Sequence, residues 1–211
     1  FLTLPFIILA CTDPASQVYS NQASLTSEEG LFLDSLVMPD GFHMEVYGRV
    51  DNARSMAMSP DGTLFVGNKA NGSVYALQDR NNDMKADTLY TIAKDLIMPN
   101  GIAFKDGALY VAEINKLWRY DAIEDNLNDP KATLIYDDFP EDSHHGWKYI
   151  AFGPDGKLYV HVGAPCNVCE TKDDTYYASI ISMDADGANR QIVAKGVRNT
   201  VGLTWHPITG E

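Results

Sequence analysis

The sequence has few cations, few cysteines and no segment with helical hydrophobic spacing. It contains 16 Lys and Arg against 29 Asp and Glu, which gives a formal net charge of −13. Nucleic acid binding needs clustered Lys and Arg, and the sequence has no such cluster. We therefore expect no nucleic acid partner, and an anionic ligand would need the few cations gathered in one place.

The sequence also lacks an apolar run long enough to span a bilayer. The run at residues 1–10 is too short and fits the end of a signal-peptide core. Residues 8–11 match a bacterial lipobox, so Cys11 is the expected lipidation site and residues 12–30 a polar tether. This predicts a lipid-anchored periplasmic or cell-surface protein. The alternatives are an ordinary cleaved signal, or an apolar strand with a chance cysteine.

Apart from Cys11, the cysteines are Cys166 and Cys169, in the order Cys-Asn-Val-Cys. In an exported protein this spacing favours a disulfide over a free dithiol. A c-type haem would need a histidine after the second cysteine, where Glu170 stands. Zinc would need two further ligands at suitable spacing. We expect a structural disulfide rather than a redox centre.

A strand, a turn and a second strand recur along the chain, at residues 55–68, 101–113, 149–162 and 202–211. The turn residues Asp61, Asp106 and Asp155 are 45 and 49 residues apart. Multi-stranded repeats of about 40 to 50 residues are typical of β-propeller blades. The predicted fold is therefore all-β, a propeller over residues 31–211 with about four blade starts.

The fourth repeat ends at Glu211 after one strand and one turn, and the chain starts at Phe1 rather than at a methionine. We therefore expect a propeller domain that is truncated at its C-terminus. Two or three further blades would complete it.

In a propeller, the residues that precede the inner strands gather around the axis on one face. In this chain they are Arg54, Asn100, His144, His145, Arg198 and Asn199. Loops after the second strands would add Asn68, Lys69, Glu113, His161 and the loop with Cys166 and Cys169. A base, cations and amides around one opening predict a small-molecule site. The alternative is that these are ordinary polar loop residues.

The segment at residues 79–87 has acidic and amide side chains at alternating positions. Asp79, Asn81, Asp83 and Asp87 stand at positions 1, 3, 5 and 9 of a calcium-loop spacing. Met84 replaces the usual glycine, and no glutamate follows at position 12. We interpret the segment as a solvated hairpin turn on the face away from the histidines, where any calcium would be structural.

Two motifs together resemble the glucose/sorbosone dehydrogenase family, which consists of six-bladed propellers that use pyrroloquinoline quinone (PQQ). One is His145 followed by a strand and Gly-Pro-Asp-Gly; the other is Gly-Val-Arg-Asn-Thr-Val-Gly at residues 196–202, followed by His-Pro-Ile-Thr-Gly. The resemblance covers residues 36–211. Ala164 and Val201 replace an aspartate and a glutamine of the soluble glucose enzymes, which favours the sorbosone-like branch.

The resemblance implies a role for each matching residue. His145, or its neighbour His144, would accept the substrate hydroxyl proton while hydride passes to the quinone, a role that suits the ordinary pKa of imidazole. Arg198 would lie against the quinone and stabilise its developing negative charge. Asn199 would help to hold the cofactor, and Asn100 would line the same cleft.

The expected function is therefore PQQ-dependent oxidation of a sugar, aldose or polyol-type substrate. Electrons would pass to a quinone or cytochrome, and ligands for a cofactor Ca²⁺ are expected after residue 211. One alternative is a calcium-dependent lactonase of the gluconolactonase type, although only Asn100 and Asn199 match its carboxylate and amide ligand set. The other is a non-catalytic propeller that binds glycan or protein.

Overall fold

The computed structural model describes residues 33–170 and 176–210. Within these ranges no helix is long and apolar enough to cross a membrane. Residues 1–11 with Cys11, and the proposed tether at residues 12–30, lie outside the described residues. The strands are β1 (Ala53–Met58), β2 (Leu64–Asn68), β3 (Val74–Gln78), β4 (Thr88–Ala93), β5 (Gly101–Lys105), β6 (Ala108–Ala112), β7 (Leu117–Tyr120), β8 (Ala132–Tyr136), β9 (Ile150–Phe152), β10 (Leu158–Val162), β11 (Ser179–Met183) and β12 (Gln191–Lys195), with short 3-10 helices at Leu33–Ser35 and Ile123–Asn126.

The strands form three four-stranded antiparallel sheets, β1–β4, β5–β8 and β9–β12, and in each sheet neighbours in space are neighbours in sequence. Strand β1 contacts β5, and β5 contacts β9, so the first strand of each sheet is the innermost. The structure is a β-propeller with three consecutive blades described. The all-β propeller prediction is confirmed.

The hairpins between first and second strands depend on residues with positive φ. Between β5 and β6, Asp106 and Gly107 have φ of 50° and 77°, the pattern of a type I′ turn. In the first and third blades the positive φ falls on the glycine alone, 87° at Gly62 and 77° at Gly156, and its N–H donates to the carbonyl three residues earlier, of Ser59 or Gly153. Glycine adopts this backbone at little steric cost, so the turn residues seen in the sequence determine the hairpins.

An aromatic pair joins each blade to the next. Phe65 of β2 lies against Phe104 of β5, with ring centroids 5.8 Å apart. Tyr110 of β6 lies against Phe152 of β9 at 4.8 Å. Both pairs belong to or adjoin buried apolar clusters between successive blades. Burying this apolar area supplies most of the stability of such an interface.

The fourth repeat differs from its prediction. Residues 202–206 form no strand, although Trp205 continues the aromatic series by lying 4.9 Å from Tyr159 of β10. The turn that follows is formed, because the Gly210 N–H donates to the His206 carbonyl. In each complete blade the inner strand takes its hydrogen bonds from a second strand, and no described residue supplies one here. The described chain thus holds three blades and one unpaired segment.

Candidate active site

His145 is fixed in an unusual backbone conformation just before β9. Its φ is 52°, a left-handed value that is uncommon for residues other than glycine. Gly163, at the end of β10, packs against it so closely that a Cβ there would collide with the His145 carbonyl and Cβ. Strained backbone of this kind clusters at functional sites, because the surroundings must hold it in place.

The backbone carbonyl of Ala164 determines the tautomer of His145. The Ala164 oxygen lies 3.0 Å from Nδ1 of His145. A carbonyl only accepts hydrogen bonds, so in the neutral imidazole Nδ1 carries the proton and Nε2 keeps its lone pair. Ala164 replaces an aspartate of the soluble glucose enzymes, and its backbone carbonyl supplies the orienting acceptor instead. His145 is thereby set up to accept a proton at Nε2.

His144 forms its hydrogen bond through the other ring nitrogen. Its ring lies 4.0 Å from that of His145 between centroids, and its Nε2 lies 3.3 Å from Oδ1 of Asn167. The amide oxygen is an acceptor, so Nε2 of His144 is the donor. The nitrogen that is free in His145 is therefore engaged in His144.

The loop that follows β10 carries both histidine partners. Cys166 and Cys169 form a disulfide there, with a Cα–Cα distance of 5.8 Å. Ala164 precedes this four-residue ring, and Asn167 lies within it. The disulfide is therefore part of the histidine site.

The segment with Arg198 and Asn199 joins the same loop. The Ala164 N–H donates to the Arg198 carbonyl at 2.8 Å, so Ala164 links this segment to His145. Asn199 Oδ1 and Thr200 Oγ1 are buried and have no hydrogen-bond partner. Buried polar atoms are seldom left unpaired, so these oxygens are candidates to meet a ligand or water.

Asn100 lies where three blades meet. Its Oδ1 accepts from Ser55 Oγ at 3.0 Å, and its Nδ2 donates to the Lys148 carbonyl at 2.7 Å. The side chain is 4 % exposed. These contacts give Asn100 a structural task at the axis; its cofactor role stays a prediction.

Two other residues that the sequence placed around the opening, Glu113 and Asn68, form hydrogen bonds within the protein. The Glu113 carboxylate accepts from the Ile97 N–H at 2.6 Å and from Trp118 Nε1 at 2.7 Å. The Asn68 amide donates to the Ser73 carbonyl and accepts from loop N–H groups. Both side chains therefore organise the loops that follow their strands.

Two cations surround one indole beside the histidines. Lys69 Nζ lies 4.1 Å from the ring centroid of Trp147, and Arg54 Cζ lies 5.6 Å from it. The ion pairs among the described residues are Lys105–Asp106, Arg119–Asp121 and Lys131–Asp129. Arg54, Lys69 and Arg198 are in none of these pairs, so Arg54 and Lys69 keep unpaired positive charge beside Trp147.

Sequence reasoning did not single out Lys148, and its placement of His161 in a loop after the second strand was wrong, because His161 lies within β10. Lys148 is 1 % exposed, and its Nζ donates to the Gly146 carbonyl at 2.6 Å. Burial lowers the pKa of Lys148 to about 7. The feature of the sequence that could have drawn attention to Lys148 is its position just before the apolar strand β9, although lysine is rarely buried in proteins.

His161 is fully buried, and neither ring nitrogen has a hydrogen-bond partner. Burial, and then the positive charges of Lys148 and His145, lower the pKa of His161 to about 4. The imidazole is therefore neutral at physiological pH. Its sequence signal was a histidine within the apolar run of β10.

The acidic segment at residues 79–87 connects β3 and β4 as expected. Its side chains accept from its own backbone: Asp79 from the N–H groups of Asp83 and Met84, and Asp87 from that of Arg80. Across the described ranges, no group of three or more His, Cys, Asp or Glu residues is arranged to hold a metal ion.

The profile of one protein family, described as a domain of unknown function (DUF7133), matches residues 33–207. The chain belongs to this family. The match covers all three blades and both segments that meet at Ala164. The DUF7133 family is thus a propeller family in this region.

Among curated proteins, the chain is similar to an uncharacterized protein of Borreliella burgdorferi. The two are 27 % identical over 205 residues, which covers 90 % of this chain and 51 % of the relative. The chain therefore spans about half the length of the relative that it matches.

Solved structures with a similar fold include the PQQ domain of pyranose dehydrogenase from Coprinopsis cinerea, with a TM-score of 0.62 and 15 % identity over 72 % of this chain and 41 % of that one. A carbohydrate-active enzyme of family AA12 from Trichoderma reesei has a TM-score of 0.59 and 18 % identity, covering 72 % and 42 %. PQQ-bound aldose sugar dehydrogenase from Streptomyces coelicolor has a TM-score of 0.50 and 19 % identity, covering 66 % and 46 %. At this identity the similarity establishes the propeller fold.

Proposed function

We propose that the protein is a PQQ-dependent dehydrogenase that oxidises a hydroxyl group of a sugar or a related aldose or polyol. The observation that carries the proposal is the contact between His145 Nδ1 and the Ala164 carbonyl, at 3.0 Å. It leaves Nε2 of a rigidly held histidine free to accept a proton. The PQQ-containing sugar dehydrogenases among the similar folds support the proposal.

The residues of the site fit PQQ, which is a planar tricarboxylate with an ortho-quinone and a pyrrole N–H. Its carboxylates need cations, and Lys69, Arg54 and Arg198 have no carboxylate partner within the described ranges. Its N–H needs an acceptor, and Asn199 Oδ1 is buried without a donor. Arg198 would hold the quinone side of the group, Asn199 its pyrrole N–H, and Lys69 and Arg54 its carboxylates.

In this mechanism the bound quinone supplies a two-electron acceptor for the hydride that leaves the substrate carbon. His145 Nε2 takes the hydroxyl proton of the same carbinol, so the substrate becomes a carbonyl compound. The Ala164 carbonyl stabilises the imidazolium that results, because Nδ1–H donates to it throughout. The Arg198 guanidinium would balance negative charge on the reduced cofactor.

The remaining parts of the proposal rest on the sequence. Lipidation at Cys11 would anchor the protein at the periplasmic or cell-surface side of a membrane. A quinone or a cytochrome would take the electrons, and Ca²⁺ would assist the cofactor with ligands from outside the described residues. The sorbosone-like branch remains the favoured assignment within the sugar dehydrogenases.

The test is reconstitution of the full-length protein with PQQ and Ca²⁺, followed by absorbance while a panel of sugars is added. We expect substrate-dependent bleaching of the quinone, and a kcat/KM that falls by about 10²- to 10⁴-fold in His145→Ala. The matched control His144→Ala should lose less than about 10-fold, because its Nε2 is already engaged by Asn167.

Equal losses in the two variants would contradict the assignment of His145 as the base. Failure of the wild-type protein to bind PQQ would overturn the proposed function altogether. Lactone hydrolysis and then glycan binding would be the next assays.

A further inference from the structure

The loop at residues 163–169 contacts both imidazoles of the histidine pair and has no strand or helix of its own. Its Ala164 carbonyl meets Nδ1 of His145 at 3.0 Å, and its Asn167 Oδ1 meets Nε2 of His144 at 3.3 Å. The disulfide between Cys166 and Cys169 closes the same loop. Two partners for two adjacent rings therefore come from one cross-linked segment.

We propose that this disulfide and Asn167 are positioning elements, which hold the loop against the histidine pair and so select the tautomer of each ring. His145 is kept with its proton on Nδ1 and its lone pair on Nε2, and His144 is kept the other way round. The catalytic meaning of a free Nε2 on His145 rests on the proposed function. The effect of the loop on the two tautomers does not.

Apart from the cross-link, few contacts between described residues restrain the outer half of the loop, residues 167–169. On its inner side, Gly163 packs tightly against His145, and the Ala164 N–H donates to the Arg198 carbonyl. On its outer side, Val168 is 95 % exposed and Cys169 is exposed. Closing a four-residue ring restricts the backbone around Asn167, so its amide stays near His144 at a smaller entropic cost.

The same exposure makes the cross-link accessible to a dithiol. Dithiothreitol donates two electrons and two protons, the Sγ–Sγ bond of Cys166 and Cys169 opens to two thiols, and the reagent becomes its cyclic disulfide. Opening the ring frees the backbone that carries Asn167 and adjoins Ala164. We expect His144 then to sample both tautomers, and His145 to do so to a smaller extent, because Ala164 keeps its hydrogen bond to the Arg198 carbonyl.

The experiment observes the ring nitrogens directly in the full-length protein, without added cofactor. The protein is labelled with ¹⁵N-histidine, and its imidazole nitrogens are recorded by long-range ¹H–¹⁵N correlation before and after reduction. The oxidised protein should show an unprotonated Nε2 for His145 and an unprotonated Nδ1 for His144. After reduction, the nitrogens of His144 should move towards tautomer-averaged positions, with a smaller change at His145.

Variants separate the two positioning elements. Asn167→Leu should release His144 alone, and Asn167→Asp should restore its tautomer, because an acceptor oxygen is kept. Cys166→Ser with Cys169→Ser should reproduce the reduced protein. Val168→Ser is the matched control in the same loop and should change neither ring, since Val168 is 95 % exposed.

Activity provides a second readout. If the proposed function holds, the Cys166→Ser and Cys169→Ser protein, assayed without a thiol reagent that would itself reduce the quinone, should show a kcat lowered by up to about 10-fold with a smaller change in KM, because the base is held less firmly while the binding groups remain. Unchanged tautomers in a reduced protein whose circular dichroism is native would overturn the positioning proposal. If the double cysteine variant does not fold, the dithiothreitol and Asn167→Leu measurements decide. Altered tautomers in a protein that never binds PQQ would support the positioning and reject the dehydrogenase.

Discussion

The second and third blades have the same register between their first two strands but carry different side chains at equivalent positions. Phe104 pairs with Leu109 in the second blade, and Phe152 pairs with Leu158 in the third. Counting outward from these pairs, the position of Asn100 in the second blade is that of Lys148 in the third. The position of Ala112 is that of His161, and the position of Glu113 is that of Val162.

In the second blade the polar side chains complete their hydrogen bonds inside the protein. Asn100 bonds to Ser55 and to the Lys148 carbonyl, and Glu113 bonds to Ile97 and Trp118. These contacts stabilise the junctions between blades, since buried groups that are fully paired contribute net free energy.

In the third blade, buried titratable groups keep unused hydrogen-bonding capacity. Lys148 makes one hydrogen bond, to Gly146, and His161 makes none through its ring. Lys148 and His145 both lie close enough to His161 to lower its pKa. Under the proposed function, the second blade uses these positions for stability and the third for chemistry, at a cost in stability.

The largest test of this contrast is to remove one polar group from each blade. Glu113→Ala should lower the free energy of unfolding by about 3 kcal/mol, because the Ile97 N–H and Trp118 Nε1 lose a charged acceptor inside the protein. His161→Leu should change it by less than about 1 kcal/mol, since the removed ring has no partner and leucine fills much of the space. Urea unfolding followed by circular dichroism measures both. Similar losses in the two variants would mean that His161 has a partner and that the contrast between blades is wrong.

The second test uses pH. The pKa of Lys148 is lowered by burial to about 7, whereas it is about 10.4 in an unfolded chain. Between these values the unfolded chain holds a proton that the folded protein has lost, so the free energy of unfolding rises with pH across this window. From about pH 7 to about pH 9 the rise from this group should be about 2 kcal/mol.

Lys148→Met should abolish that rise, because methionine occupies the buried space without a proton to lose. Lys131→Met is the matched control, since the Lys131 side chain is 79 % exposed. Unfolding by urea at about pH 7, 8 and 9 gives the slopes. His161 does not titrate in this window. Its pKa is lowered to about 4, so its contribution to the free energy of unfolding is lost only as the pH falls below about 6.5. The same slope in wild-type protein and Lys148→Met would show that Lys148 is charged in the folded state.

The propeller fold could be predicted from the sequence because it depends on local turn residues. A pair such as Asp106-Gly107 predicts the backbone conformation of its own turn, and the spacing of such turns predicts the blades. Topology then predicted that the segments around His145 and Arg198 would approach each other, and both meet Ala164. What the sequence lacked was knowledge of partners from distant segments.

Ala164 illustrates that limit. As a residue type it signalled a missing carboxylate, but the contact to His145 is made by its backbone, which every residue possesses. Glu113 illustrates the converse, since a carboxylate near the axis was expected to serve the site and is occupied by Ile97 and Trp118. The unpaired segment at residues 202–206 depends on a second strand in the same way.

The smallest test compares two lysines that follow second strands. Lys69 of the first blade reaches Trp147, at 4.1 Å, beside the histidine pair. Lys116 of the second blade lies over Trp118 of its own blade, at 5.9 Å. Under the proposed function, Lys69→Met should weaken PQQ binding by about 10-fold, equivalent to about 1.4 kcal/mol, because one carboxylate loses its cation.

Lys116→Met changes the net charge by the same amount and also removes a lysine from an indole, so it is the matched control. Its effect on PQQ binding should stay below about 2-fold, because Trp118 is bonded to Glu113 of its own blade. Equilibrium dialysis at low and moderate salt measures both affinities. If both variants lose the same affinity for PQQ, and added salt removes both losses, the two lysines act only through net charge. A loss of affinity confined to Lys69→Met would place a carboxylate of PQQ beside Trp147.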